Sequence, residues 1–502
     1  MNAWRSVVSV RLSNVALRHS VRSRLSVVLV WTTLTVLASL VTVCAADLSG
    51  QKPNVVFILA DDLGWSDVSC YGQTLWETRN IDRLAGEGMR FTDAYAAGPV
   101  CSPTRASILT GKYPHRLHMS GILAQNARPY KVPGNAQVLP PRGIVKLDDN
   151  EVTLAEAFQE AGYRTALVGK WHVGGDATTA RQQGFDDVCR FSNNGQSRVV
   201  GDRFETDVKA EEAGQWMEAN RERPFFLYFS TNAVHTRIAA QQRYIDHFLQ
   251  KGLKPKGPWN ATYAGFVRHL DDAVGRLLEK LDELGLTDRT IVVFTSDNGG
   301  RGLDISDNAP LRGDKGNLYE GGIREPLIIR WPGVTKPGAV CSVPVISTDF
   351  YPTLLDMAGL PLRPQQHLDG VSLVPLCRGA TVLDREVLFW HHPHYSTTAV
   401  PCSAVRQGDW KLVKFYSDYQ RIWEDDRQGG GRVVEARDPA LLQLYNIKED
   451  IGEQDNRASE LPRKVAELHA LLEEHLHQVE ARLPIKNPDY DASKQETGTY
   501  KM

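Results

Sequence analysis

The sequence predicts an α/β fold: a large, mostly parallel sheet between helical layers, followed by a small antiparallel sheet with one helix. Three observations predict it. Residues 55–60, 225–230 and 291–295 are apolar runs without polar alternation, as expected of strands buried on both faces. Stretches with helical spacing of apolar residues separate them, Tyr263 to Leu284 most clearly. After about residue 375 the apolar runs become short and closely spaced, and they end in an amphipathic stretch from Leu461 to Val479.

At 502 residues, with 42% hydrophobic and 24% charged residues, the chain has the composition and length of one large globular domain plus a smaller one. A formal net charge of −2 gives no global attraction for nucleic acid or an anionic membrane. Any anion must therefore be held by a local cluster. Arg5, Arg11, Arg18, Arg22 and Arg24 form an acid-free basic lead, Leu25 to Val43 is uncharged, and Cys44-Ala45-Ala46 offers small residues for cleavage. Residues 1–46 thus read as a signal peptide, and the expected destination is the periplasm or the exterior. An uncleaved anchor is the alternative; a lipoprotein at Cys44 is disfavoured by the bulky Val43. The boundaries expected are 47–378 for the main domain and 379–502 for the C-terminal α+β subdomain. Six cysteines remain after residue 46, an even count that suits three disulfides in an exported protein, whereas chemistry at Cys101 would leave five with at least one unpaired.

In chain order, Val55 to Ala60 is the first buried strand, ending in Asp61-Asp62-Leu63-Gly64. Adjacent carboxylates there can converge on a hard cation, although an isolated Asp-Asp is more often a solvated turn. Position favours the cation, because ligands of open α/β sheets bind outside the carboxyl ends of the strands. Asn80 to Ala85 has helical spacing, and Gly86 or Gly88 can end it before Arg90 to Tyr95. Pro103 suits a helix's first turn and Gly111 its end, which places Cys101 at a helix N-terminus where the macrodipole lowers a thiol's pKa. Cys101 is then a candidate reactive group, weighed against a core residue or a disulfide half.

Residues 112–148 read as a long loop over the active-site edge. Thr153-x-x-Glu156 is a capping box opening a helix to Ala161. The next strands deliver Lys170 and His172 after Thr165 to Val168, and His235 after Phe225 to Ser230. Asp297 and Asn298 follow Ile291 to Thr295, and the glycine-flanked Lys315 precedes a strand over Leu327 to Arg330. In the C-terminal part, strands are expected at Val387 to Trp390, Ala404 to Val405, Lys411 to Phe415 and Leu442 to Tyr445. His391-His392-Pro393-His394 lacks the spacing of a zinc site and reads as a substrate-lining loop or surface turn.

Several motifs, in order, resemble the type I, formylglycine-dependent sulfatases of the alkaline phosphatase-like superfamily. They are Cys101-Ser102-Pro103-Thr104-Arg105 with Thr110-Gly111-Lys112-Tyr113-Pro114, Gly169-Lys170-Trp171-His172, Gly184-Phe185-Asp186, the His235 region, and Leu311 to Pro326. The chain departs at Arg237, where the family usually has proline. The resemblance implies hydrolysis of a sulfate ester, on a sulfated carbohydrate or small molecule, by a formylglycine hydrate made from Cys101 by a maturation enzyme. It implies Ca2+ (or Mg2+) on Asp61, Asp62, Asp297, Asn298 and the modified Cys101. It implies sulfate contacts from Lys170, His235 and Lys315, with Arg105 stabilising the hydrate and His172 as base. Either His235 or Lys315 can protonate the leaving alcohol. The alternatives are a phosphomonoester or phosphonate hydrolase of the same architecture, and a non-catalytic glycan-binding protein.

Overall fold

A nine-stranded sheet among the described residues forms the centre of the fold. In chain order its strands are β1 (Asn54–Ala60), β2 (Met89–Tyr95), β3 (Arg164–Lys170), β4 (Asp187–Ser192), β5 (Phe225–Ser230), β6 (Thr290–Ser296), β7 (Arg324–Arg330), β8 (Ala339–Cys341) and β9 (Val345–Ile346). They lie in the order β8-β2-β7-β6-β1-β5-β3-β4, with β9 also against β2. Neighbours from β6 to β4 are parallel, whereas β7 runs antiparallel to both β6 and β2. The mostly parallel sheet expected from the unalternated runs is present, with β7 the reversed strand. This computed structural model describes residues 52–128, 131–192, 199–200, 203–302, 305–425, 431–438 and 440–494. The expected signal peptide, residues 1–46, lies outside the described residues.

β1 explains why its sequence does not alternate. Val55, Phe57 and Leu59 enter one core with Leu109, Phe158 and Leu354. Val56, Ile58 and Ala60 enter another with Leu84, Met217 and Leu278. At about 1.5–3 kcal/mol per fully buried large apolar side chain, both faces of the strand need a helical layer. One layer holds α2 (Cys101–Thr110), α3 (Leu154–Glu160) and α6 (Phe350–Met357); the other holds α1 (Arg79–Glu87), α4 (Glu205–Ala219) and α5 (Ala261–Glu283). The capping box opens α3, with Thr153 Oγ1 accepting from Glu156 N at 3.2 Å and Thr153 N donating to Glu156 Oε2 at 2.7 Å. Gly111 closes α2 at φ 68°, and a Cβ there would meet His367 Cβ at 2.4 Å.

The antiparallel sheet consists of β10 (Val387–His392), β11 (Cys402–Gln407), β12 (Trp410–Phe415) and β13 (Leu442–Asn446), paired in that order. Helix α7 (Pro462–Gln478) covers it through Leu468, Leu472 and Leu476 against Val405, Leu412 and Leu444. A buried ion network joins this sheet to the chain ahead of β7. Lys411 Nζ lies 2.8 Å from Glu320 and 2.9 Å from Glu453, and Glu320 also meets Arg324 at 3.0 Å.

Three expectations change. The 112–148 segment is not one continuous loop: it holds a helix at Leu123–Ala127, and Val138–Leu139 pairs with Ile485–Lys486 near the C-terminus. His391, His392 and His394 form neither a surface turn nor part of the pocket lining. They are buried, His391 bonded to Ser403 Oγ at 2.7 Å and His392 to Ser120 O at 3.1 Å, because β10 runs into the junction between the two sheets. The six cysteines of the described residues are all free, so the three-disulfide arrangement does not form. Among the described residues no helix is long and apolar enough to cross a membrane.

Candidate active site

Strands β6, β1, β5 and β3 are consecutive and parallel, so their C-terminal ends share one edge. That adjacency brings together Asp297 and Asn298, Asp61 and Asp62, the turn carrying His235, and Lys170 with His172. Strand β2 leads to the same edge and on to α2, whose first residue is Cys101. Because β7 is reversed it starts at that edge, which puts the Lys315 loop there too. Cys101, Arg105, Lys170, His172, His235 and Lys315 thus come to the same edge as the Asp61, Asp62, Asp297 and Asn298 strand ends.

Cys101 Sγ lies 3.5 Å from Asp61 Oδ1, 3.9 Å from Asp62 Oδ1 and 3.2 Å from Lys315 Nζ. Lys170 Nζ bridges both Asp61 oxygens at 2.8 and 2.7 Å. Lys315 Nζ also pairs with Asp62 Oδ1. His235 Nε2 stands 3.7 Å from Asp62 Oδ2. One turn along α2 from Cys101, Arg105 is fully buried and forks onto Asp297 Oδ2 at 2.9 Å (Nε) and 2.6 Å (Nη2). Its Nη1 donates to Ser230 Oγ and, at 3.2 Å, to the Lys170 carbonyl. Asp62 N donates to Asp297 Oδ1 at 3.2 Å, and Asn298 Nδ2 donates to Asp62 Oδ1 at 2.9 Å. Asp62 and His172 adopt φ values of 62° and 60°, unusual for residues with side chains, and the bonds with Asp297, Asn298 and Lys315 hold Asp62 there.

The donor set fits a hard divalent cation. Asp62 Oδ2 and Asn298 Oδ1 are buried acceptors with no hydrogen-bond partner among the described residues, and the Asp61 and Asp297 carboxylates lie beside them. Three carboxylates and an amide oxygen are the ligands Ca2+ or Mg2+ takes. Ligand atoms of Asp61, Asp62, Cys101 and His235 all lie within 4.8 Å of one another. His235 therefore borders the cluster in which the sequence reading placed only Asp, Asn and Cys.

Electrostatics divide the roles. Burial opposes the Asp61 charge, but Lys170, His235 and Arg105 overcome it and hold the carboxyl well below the usual range. Burial, reinforced by Lys170 and Arg105, pushes His172 well below the ordinary histidine value, so its imidazole is neutral and can accept a proton. The expectation for Cys101 is overturned. Burial, with Asp297 next, pushes the thiol up to about 12. A helix N-terminus contributes about 0.3–1 kcal/mol at an exposed position, too little to offset desolvation beside three carboxylates.

A pocket of about 220 Å³ opens onto Cys101, His172, His235 and Lys315. It also exposes residues that the sequence reading missed: Lys131, Arg301, Asp314 and the Ser396-Thr397-Thr398 turn. The basic character of the 112–148 stretch pointed toward Lys131. Arg301 follows the Asp297-Asn298-Gly299-Gly300 motif directly, and that adjacency was the signal for it. Arg237 is exposed and does not line the pocket.

Fold and site together define an α/β enzyme built to grip a tetrahedral anion against a cluster of carboxylates. The sulfatase family model matches residues 53–360, and a second, for the N-sulphoglucosamine sulphohydrolase C-terminal region, matches 313–428. Human arylsulfatase A is 32% identical over 466 residues, covering 83% of this chain and 86% of that protein. Human N-acetylgalactosamine-6-sulfatase is 31% identical over 405 residues, covering 71% and 74%. The crystal structure of Ps i-CgsB in complex with k-i-k-neocarrahexaose superposes with a TM-score of 0.68 at 28% identity, over 85% of this chain and 93% of that one. The chain belongs to the sulfatase family, and it is an enzyme that hydrolyses sulfate esters.

Proposed function

We propose that the substrate is a sulfated carbohydrate and that Cys101, converted to formylglycine by a maturation enzyme, is the nucleophilic position. The observation that carries this reading is Cys101 at the start of α2, within 3.5 Å of Asp61 and 3.2 Å of Lys315 at the floor of the pocket. Asp61, Asp62, Asp297 and Asn298 would hold Ca2+, or Mg2+ in its place. When present, the cation and the aldehyde hydrate supply charge neutralisation and an activated oxygen at sulfur. Lys170, His235 and Lys315 bind the sulfate oxygens. Arg105 fixes the first turn of α2 against Asp297 and so orients position 101. His172, neutral and facing the pocket, accepts the proton released at position 101.

Two relatives support the carbohydrate: one is named N-acetylgalactosamine-6-sulfatase, and the other was solved in complex with k-i-k-neocarrahexaose. The basic, apolar lead of residues 1–46 supports export to the periplasm or exterior. We assign residues 47–378 to the catalytic domain and 379–502 to the smaller subdomain.

The test is inorganic sulfate release from a panel of sulfated saccharides, with aryl sulfate and aryl phosphate in parallel. Sulfate release from one or more saccharides is the expected result. Turnover confined to a lipid or aryl sulfate would reject the carbohydrate, and turnover of the phosphate alone would reject the chemistry. Mass spectrometry of the peptide containing Cys101 should find the aldehyde, and an unmodified thiol in active, natively made enzyme would reject formylglycine.

A further inference from the structure

We infer that Arg301, with Lys131 on the same pocket, recognises a second anionic group on the substrate, separate from the sulfate that is cleaved. This rests on the proposed saccharide and deepens it: the substrate is a sugar carrying a carboxylate or a further sulfate near the scissile ester. Charge at the pocket floor is already matched. Asp61, Asp62 and Asp297 face Lys170, Lys315 and Arg105, each cation pairing with a carboxylate. A divalent cation and one sulfate monoester would add more positive than negative charge. Arg301 and Lys131 add two further cations to the lining against one carboxylate, Asp314.

Arg301 is held in place by a hydroxyl rather than by an ion pair, and Asp314 is the lining carboxylate that feels its charge. Arg301 Nη1 donates to Thr236 Oγ1 at 2.8 Å, which anchors the side chain beside His235, and Arg301 makes no ion pair among the described residues. Asp314 answers part of that charge from a distance, while its Oδ1 is taken up by two other donors. It accepts from Thr398 Oγ1 and Asn317 Nδ2, both at 2.6 Å. Lys131 is placed by Thr397 Oγ1 at 2.9 Å. The two cations thus reach the lining from separate loops, each oriented by a threonine hydroxyl. A guanidinium presents a planar fork suited to carboxylate or sulfate oxygens, and desolvation in a pocket strengthens that pairing. With the sulfate seated among Lys170, His235 and Lys315, a group on the adjoining part of the sugar is the natural partner for Arg301.

The test uses three sugars with the same scissile sulfate: a neutral monosulfated N-acetylhexosamine, that sugar linked to a uronate, and that sugar bearing a second sulfate. Sulfate release is measured for wild type, Arg301→Gln, Arg301→Lys and Lys131→Gln. In parallel, calorimetric binding of the same sugars is measured on protein whose Cys101 is unconverted. Wild type should favour at least one dianionic sugar about tenfold or more in kcat/KM, and Arg301→Gln should erase most of that preference through KM. Arg301→Lys should restore part of it, and the preferred sugar identifies carboxylate or sulfate as the group read. Equal use of all three sugars by wild type would overturn the inference. So would a uniform loss in Arg301→Gln, which would assign the residue to holding the Thr236 turn. Absence of sulfate release with an Arg301-dependent binding preference would sink the sulfatase mechanism and keep this subsite.

Discussion

Replacing Lys411 with methionine should cost more than its place on a short C-terminal strand suggests. The ammonium is fully buried and bridges Glu320 at 2.8 Å and Glu453 at 2.9 Å, both of them fully buried as well. Removing it strands two carboxylates in the junction between the sheets, with Arg324 left for Glu320 alone. Breaking a buried pair by deleting one partner costs about 3–5 kcal/mol. Residues 53–502 form one compact unit, whose unfolding entropy is on the order of 0.9 kcal/mol per kelvin. Thermal unfolding of Lys411→Met should therefore come about 3–5 °C below wild type. Burial already pushes Glu453 up to about 7 while Lys411 opposes it. Without Lys411 its folded value rises further above the unfolded one, so the deficit should shrink at pH 5 and grow as pH rises through 7. Adding Glu453→Gln should recover part of the loss. A Tm within about 1 °C of wild type, or a double variant no more stable than the single, would refute the reasoning.

His172→Ala should lower kcat by about 10²–10⁴ with little change in KM. Because burial holds the His172 imidazole neutral, wild-type kcat should show no acid limb near the ordinary histidine value, and a limb there that disappears in His172→Ala would count against the assignment. Chelation should abolish sulfate release and lower the Tm. Ca2+ at a hundred times its dissociation constant should add about 2.7 kcal/mol, and a thermal shift unmoved by Ca2+ would remove the metal site. Burial holds His391, His392 and His475 at about 4, below the unfolded value of 6.5. The unfolded chain therefore takes up protons first, and stability should fall as pH drops from 6.5 toward 4, by up to about 1.4 kcal/mol per pH unit for each group. Equilibrium denaturation across that window measures the slope, and His475→Gln should flatten it.

Local patterns made much of this fold legible. The unalternated strands, the Thr153 capping box and the Pro103-to-Gly111 helix are each decided within a few residues, and each is present. Their strand-end groups were legible as a site because parallel neighbours share one edge. What stayed hidden depends on long-range packing. Lys411 sits between Trp410 and Leu412 and reads as a solvent-facing position, yet its partners lie 91 residues earlier and 42 later in the chain. Arg301 and Lys131 join the lining only through the meeting of separate loops, and the sugar-facing wall had no motif to announce it. Cys101 was placed correctly and its protonation misjudged, since local geometry shows a helix dipole but not the burial that outweighs it.

That protonation reveals a mismatch at the centre of the site. A thiol held at about 12 is neutral and a poor nucleophile, and it is a soft group among three carboxylates and an amide oxygen. Lys170 and Lys315 pull the thiol down, but burial and Asp297 outweigh them; Lys315 approaches Sγ at 3.2 Å, yet its first electrostatic partner is Asp62, so it does not generate a thiolate. An oxygen-bearing side chain at position 101 resolves both problems at once. It would add a hard ligand to the Asp61 and Asp62 pair, and its hydroxyl could give a proton to a neutral His172 without first becoming an anion in a buried site. The same geometry makes Cys101→Ser an informative intermediate. It supplies one hard oxygen but no second hydroxyl from which the sulfated enzyme could be released, so the variant should accept sulfate once and stall, giving a single stoichiometric burst of alcohol without turnover. Sustained turnover by Cys101→Ser at a rate near wild type would show that the cluster needs only an oxygen there, and would remove the case for an aldehyde.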